Sequence, residues 1–119
     1  MEEERRRSVR VKKPLSVQYS YSLDNKTRWD MSFIKDLSDT GICITTNNIF
    51  PADEIFFIRI KIPIKPHQAL EIEGKVIESR EYKACGYITR LEFVGLKDDQ
   101  KELIREYIAW ILLKERSKK

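Results

Sequence analysis

The sequence predicts a mainly β fold: a six-stranded antiparallel β-barrel followed by one C-terminal α-helix. Three observations lead there. Apolar residues recur at every second position, run after run, to about residue 94, which is the period of a half-buried strand. The runs are short and are separated by turn formers such as Asp24-Asn25-Lys26, Asp39-Thr40-Gly41 and Asn47-Asn48. Beyond residue 98 the apolar spacing changes to that of a helix. Six short strands would leave exposed edges, and closing the sheet on itself removes them.

Taken in order, residues 1–13 are a basic arm. Arg5, Arg6, Arg7, Arg10, Lys12 and Lys13 follow one another with no acid between them and no apolar period. Such a segment has little to fold around and is expected to be mobile without a ligand. The barrel is assigned to residues 14–96. After Pro14, Leu15, Val17, Tyr19, Tyr21 and Leu23 alternate strictly with polar residues. Trp29, Met31 and Phe33 alternate again, in a run reaching Leu37, and are expected to face inward with Trp29 in the core. Ile42–Thr46 is a short β-branched strand. Ile55–Ile62 places Phe56, Ile58, Ile60 and Ile62 on one face and Arg59 and Lys61 on the other, and ends at Pro63 and Pro66. Residues 70–79 and 84–94 read as a hairpin turning around Arg80–Lys83. Leu70, Ile72 and Val76 point inward from one arm, and Cys85, Tyr87, Leu91 and Phe93 from the other. A helix over 97–115 opens with Asp99 and Glu102 spaced as a capping box. Leu103, Ile104, Tyr107, Ile108, Ile111 and Leu112 share one of its faces, and Trp110 lies beside that stripe.

The 119 residues suit one domain with a single core. Cys43 and Cys85 have no CxxC or CxxH neighbour, so they read as buried free thiols and not metal ligands. His67, the only histidine, stands in a Pro-rich loop without a partner for catalysis, and no Gly-rich phosphate loop is present. The chain therefore reads as a binding module and not an enzyme. No apolar stretch approaches the ~20 residues of a membrane helix, and no signal-like segment opens the chain; a cytoplasmic protein is expected. The net charge of +4 is uneven, concentrated in the arm and after Lys114. Basic arms attract polyanions of every kind.

Two motifs narrow the choice. Arg6-x-x-x-Arg10 sits in the arm, and Asp36-x-Ser38-x-x-Gly41 leaves the second strand. An arginine fork matches guanine O6 and N7 and also attracts phosphate, while a carboxylate accepts from guanine N1–H and N2–H on the opposite edge. Together they look like a guanine-and-phosphate clamp. Taken singly each motif has a plainer reading, the first as a solvated basic arm and the second as a tight turn in which Gly41 takes positive φ.

With the strand Tyr87–Phe93 and the amphipathic helix after it, the pair resembles the PilZ family, whose ligand is the bacterial second messenger cyclic di-GMP. The resemblance implies that Arg6 stacks on or bonds a guanine and that Arg10 engages guanine or phosphate. It implies that Asp36 accepts from guanine, that Ser38 bonds the base or a phosphate, and that Gly41 leaves room for the flat base. Arg5 and Arg7 become secondary contacts, for a second intercalated ligand in particular. A receptor of this kind would relay its signal to a protein partner in motility, pilus, secretion or polysaccharide machinery. Two alternatives stand beside it: a basic barrel binding single-stranded nucleic acid, which needs exposed aromatics on a barrel face, and a PilZ-fold interaction module without a ligand.

Overall fold

The computed structural model describes residues 9–62, 69–82 and 86–117, with the backbone path alone for 9–14, 23 and 115–117. Its strands are β1 (Val9–Leu23), β2 (Lys26–Leu37), β3 (Gly41–Thr46), β4 (Ile55–Lys61), β5 (Ala69–Glu81) and β6 (Tyr87–Val94), and its helix is α1 (Asp98–Ser117). The strands close into an antiparallel barrel in the order β1-β2-β3-β6-β5-β4. Asp24 and Asn25 both take positive φ, 53° and 63°, as a two-residue hairpin turn between right-twisted strands requires.

The barrel interior is packed by Val17, Tyr19 and Tyr21 of β1, Phe56, Ile58 and Ile60 of β4, and Ile44, Ile72, Val76 and Leu91 of the strands facing them. Tyr19 stacks on Phe56 with ring centroids 5.3 Å apart, and Phe50 meets Phe56 edge-on at 4.8 Å. Gly74 of β5 leaves space there; a Cβ would lie 2.7 Å from the Ile58 Cδ1. On β6, Thr89 takes the inward position between Tyr87 and Leu91. Its hydroxyl bonds those of Thr46 at 2.9 Å and Ser79 at 2.8 Å, so no buried hydroxyl of the three is orphaned.

The helix caps the barrel end where β2 finishes and β3 and β5 begin. Ile104, Tyr107, Ile108 and Ile111 enter the same buried cluster as the strands. The cap differs from the expected Asp99–Glu102 pair. Gln100 Oε1 reaches back to accept from the Lys97 backbone N–H at 2.9 Å, and the Lys97 carbonyl accepts the first helical bond from Lys101. The same box logic operates two positions earlier, because the helix itself starts at Asp98. Leu112, assigned to the inward stripe, is exposed instead, since the barrel contact ends at Ile111.

Two further expectations are corrected. Strand β1 begins at Val9, inside the segment assigned to the arm, because Val9 and Arg10 pair with Leu37 and Asp36 at the end of β2. The ladder slips between Arg10 and Leu15, around Pro14, which has no N–H to give it. The second correction concerns Trp29, Met31 and Phe33, which point outward. Their β2 neighbours Asp30 and Ser32 take the inward side. The cause is volume: these small residues stand opposite Tyr19 and Val17 of β1, and Tyr19 already fills the interior. Asp30 accepts from the Tyr21 hydroxyl at 2.8 Å, and Ser32 bonds the Thr45 hydroxyl at 2.7 Å and its carbonyl. Cys43 is buried as expected. Cys85, His67 and residues 1–8 lie outside the described residues.

Candidate ligand-binding face

Strand pairing assembles the site. Arg10 is the register partner of Asp36, so residues from the two sequence motifs meet across β1 and β2. Asp36 pairs in turn with Cys43 on β3, Cys43 with Arg90 on β6, and Arg90 with Glu78 on β5. Residues opposite one another in antiparallel strands share a face, so Asp36, Cys43, Arg90 and Glu78 form one row on the outside of the barrel. The backbone of Arg10 continues that row. Arg5, Arg6 and Arg7 lie outside the described residues.

Two hollows adjoin along this row. One, of about 260 Å³, is lined by Asp36, Ser38, Gly41, Cys43, Ile77 and Arg90, among others. The other, of about 230 Å³, shares Asp36, Cys43 and Arg90 and adds Lys35, Arg80 and Tyr82. Each alone is small for a nucleotide, but together they reach the ~300–1,000 Å³ of ordinary ligand sites. Their chemistry is mixed: the Asp36 carboxylate, three cations (Lys35, Arg80 and Arg90), and apolar ground at Ile77 and Cys43. Lys35 Nζ donates to the Tyr82 hydroxyl at 2.6 Å and lies 4.2 Å from that ring's centre. Burial pushes the Cys43 thiol pKa up; Asp36 adds to that, and Arg90, Lys35 and Arg80 oppose it. The thiol is therefore a neutral floor and not a nucleophile.

The turn between Asp36 and Gly41 is held by Ser38. Its hydroxyl oxygen accepts from the backbone N–H groups of Thr40 and Gly41, both at 3.2 Å, and its own N–H donates to the Gly41 carbonyl at 3.0 Å. Gly41 is not among the positive-φ glycines, which are Gly86 and Gly95. What demands glycine is the neighbouring strand, because a Cβ would collide with the Leu91 carbonyl of β6. The motif residue between them, Asp39, is buried and ion-paired with Arg105 of α1 at 3.0 Å. The motif turn is thereby tied to the helix.

Arg90 was not singled out in the sequence, although it stands in the quoted strand Tyr87–Phe93. Alternation alone shows that Ile88, Arg90 and Glu92 share a face. That this face adjoins Asp36 depends on β3 lying between them. Among the described residues no group of histidine, cysteine and carboxylate side chains could hold a metal ion. No helix among them is long and apolar enough to cross a membrane.

Comparison with known families decides the relationship. The family model of the PilZ domain matches residues 4–110, a span that contains both motifs and the whole barrel. The chain belongs to the PilZ family. No curated protein matches the sequence. Among solved structures, it is similar to the PilZ domain with c-di-GMP of YcgR from Escherichia coli (TM-score 0.65, 15% identity, covering 93% of this chain and 91% of that one). The K. pneumonia MrkH–c-di-GMP complex matches with a TM-score of 0.70 at 15% identity, over 94% of this chain and 53% of that one. The Bacillus subtilis inhibitor of motility MotI/DgrA matches at 0.68 and 15%, over 91% and 54%. The chain thus spans about half the length of several PilZ proteins it resembles, and the PilZ barrel with its C-terminal helix is the shared part.

Proposed function

We propose that this PilZ domain is a receptor for cyclic di-GMP that binds the dinucleotide on the outer row running from Arg10 to Arg90. The observation that carries the reading is the β1–β2 register, which sets Arg10 of the first motif directly across from Asp36 of the second. Membership of the PilZ family and the c-di-GMP complexes of YcgR and MrkH support it.

In this reading Asp36 accepts from the N1–H and N2–H of one guanine. Arg10, on β1 across from Asp36, engages phosphate or guanine, and Arg6, ahead of it in the arm, stacks on a guanine. Arg90 faces the ligand from β6 and supplies a charge-assisted donor that the motifs do not contain. Ser38 and Gly41 act chiefly by shaping the turn that presents Asp36; the Ser38 oxygen accepts from two backbone N–H groups there, which leaves its hydroxyl proton to donate toward the ligand. Arg5 and Arg7 are positioned in sequence to hold a second ligand molecule. Closure of the arm, together with the Asp39–Arg105 tie from the motif turn to α1, would present a changed surface to a protein partner.

The single-stranded nucleic acid reading required exposed aromatics on a barrel face, and Trp29, Phe33 and Phe57 meet that condition. Arg59 of β4 lies over the Trp29 ring, 5.1 Å from its centre, but the β1 positions beside the rings, Ser16, Gln18 and Ser20, are uncharged, so no continuous phosphate track accompanies them. Calorimetric titration tests the proposal. Cyclic di-GMP should bind with micromolar or tighter affinity, and a deoxythymidine oligonucleotide should give no saturable signal. Arg6→Ala, Arg10→Ala and Arg90→Ala should each weaken binding by roughly 1–3 kcal/mol, the scale of one bidentate contact. A flat cyclic di-GMP titration refutes the reading.

A further inference from the structure

Two β-bulges stand on either side of the Cys43–Arg90 pair. On β2, Ile34 pairs with Ile44 of β3 but Asp36 pairs with Cys43, so Lys35 is an extra residue in the ladder. On β5, Val76 pairs with Leu91 of β6 but Glu78 pairs with Arg90, and Ile77 is the extra residue. A bulge reverses the facing of every residue beyond it. Ile34 and Leu37 are both buried although three positions apart, a spacing that alternation forbids, and Lys35 and Asp36 between them share the outside. Likewise Val76 is buried and Ser79 turns inward to Thr89, which leaves Arg80 exposed. Without the bulges, β2 would turn Asp36 into the barrel and β5 would turn Arg80 there.

The result is that Lys35, Arg80 and Arg90 converge on the hollow of about 230 Å³ over Cys43. Elsewhere Arg59, Lys75 and Arg105 are each paired with a carboxylate. Arg80 and Arg90 form no ion pair among the described residues, and Lys35 Nζ meets the neutral Tyr82 hydroxyl and ring. Cations gathered in this way repel one another, and a bound anion offsets the repulsion. We infer that the Lys35–Arg80–Arg90 hollow is a phosphate subsite, holding one phosphodiester of cyclic di-GMP while a guanine meets Asp36 in the adjoining hollow. Its ligand rests on the reading of this face proposed above. The two hollows share Asp36, Cys43 and Arg90, so one nucleotide reaches both without leaving the surface. The residue types fit phosphate as well. Lys35 is a point charge steadied by Tyr82, and Arg80 and Arg90 bring planar forks that can donate two bonds each. Neither Lys35 nor Arg80 belongs to the two sequence motifs, and only the bulges bring them to the same side as Asp36.

The test is a titration of the full chain with two probes, followed residue by residue in proton–nitrogen NMR spectra. Inorganic pyrophosphate should move the amides of Lys35, Arg80 and Arg90 saturably and leave that of Lys61, an exposed lysine on β4, in place. Cyclic di-GMP should move the same three amides together with those of Ser38 and Gly41, and should displace pyrophosphate. Lys35→Gln and Arg80→Gln should each weaken cyclic di-GMP binding roughly 10-fold, the scale of one charge-assisted bond. The Ser38 and Gly41 shifts should persist in both variants at saturation, which separates a lost phosphate contact from a damaged turn. Lys61→Gln should leave the affinity unaltered. Both replaced side chains point out of the barrel, so folding should survive, and circular dichroism establishes it. Cyclic di-GMP affinity unchanged in both Lys35→Gln and Arg80→Gln overturns the inference and leaves the ligand reading standing. An equal loss in Lys61→Gln also overturns it, since general charge then explains the effect. A flat cyclic di-GMP titration with saturable pyrophosphate shifts at the three amides refutes the ligand reading and supports the phosphate subsite. Amides unmoved by either probe overturn both.

Discussion

Replacing Gly41 with alanine separates two roles for the last residue of the Asp36–Gly41 motif. If glycine is there to make room for a ligand, the variant folds as well as the wild type and loses only binding. The structure says otherwise, because the added Cβ meets the Leu91 backbone carbonyl. A backbone oxygen within a ladder cannot rotate aside as a side chain would. Gly41 pairs with Glu92, and the Phe93 N–H donates to the Thr40 carbonyl at 2.9 Å just beyond it. Relief therefore requires β3 and β6 to part locally, with overpacking strain of about 1–3 kcal/mol and a weakened hydrogen bond of about 1 kcal/mol. A loss of ~2–3 kcal/mol follows, which lowers the urea midpoint by roughly 1–2 M for a domain of this size. Gly95→Ala is the comparison: nothing lies within 4 Å of its added Cβ, and only its φ of +65° is strained, at ~1 kcal/mol. Urea unfolding of the three proteins, followed by circular dichroism, provides the measurement. A Gly41→Ala midpoint equal to that of the wild type, or above that of Gly95→Ala, refutes the close-approach argument.

Three further outcomes are expected. Arg105→Ala should lower stability by ~1–2 kcal/mol, modest because Arg105 is half exposed but real because Asp39 is left buried; an unchanged urea midpoint would show that the tie contributes nothing. Tyr107→Phe should be neutral or stabilising by up to ~1 kcal/mol, since the buried Tyr107 hydroxyl has no partner among the described residues; a clear loss in thermal unfolding would reveal one. Burial raises the Tyr107 pKa from 10.0 to about 12, so the folded state holds that proton more tightly than the unfolded state. The resulting contribution is complete below pH 10 and is lost as pH climbs toward 12, at roughly 1.4 kcal/mol per unit. Unfolding curves across that range should be steeper in pH for the wild type than for Tyr107→Phe, and identical slopes would contradict it.

The candidate site was half legible in the chain. Arg10, Asp36, Ser38 and Gly41 stand out by type and spacing, and the strand register sets Arg10 across from Asp36. The plainer reading of Ser38 as a turn former is visible in its hydroxyl, which builds the turn. Arg90, Lys35, Arg80 and Tyr82 could not be found in this way. Lys35 is the chain neighbour of Asp36 and carries no signal of its own, and the other three are ordinary surface residues until the strand order β2-β3-β6-β5 brings them near Asp36 from distant parts of the chain.

Local periodicity determined the elements: six strand-like runs, a turn at Asp24-Asn25-Lys26, and a helix with one apolar face. These depend on interactions within a few residues, which the order of amino acids states directly. Alternation does not reveal which side turns inward, and on β2 the apolar side faces out. Only closure of the barrel decided that, because Tyr19 and Tyr21 of β1 claimed the interior and left room on β2 for Asp30 and Ser32 as their neighbours. The sign of a strand is set by the volume its partners leave, and that volume exists only once the sheet has closed.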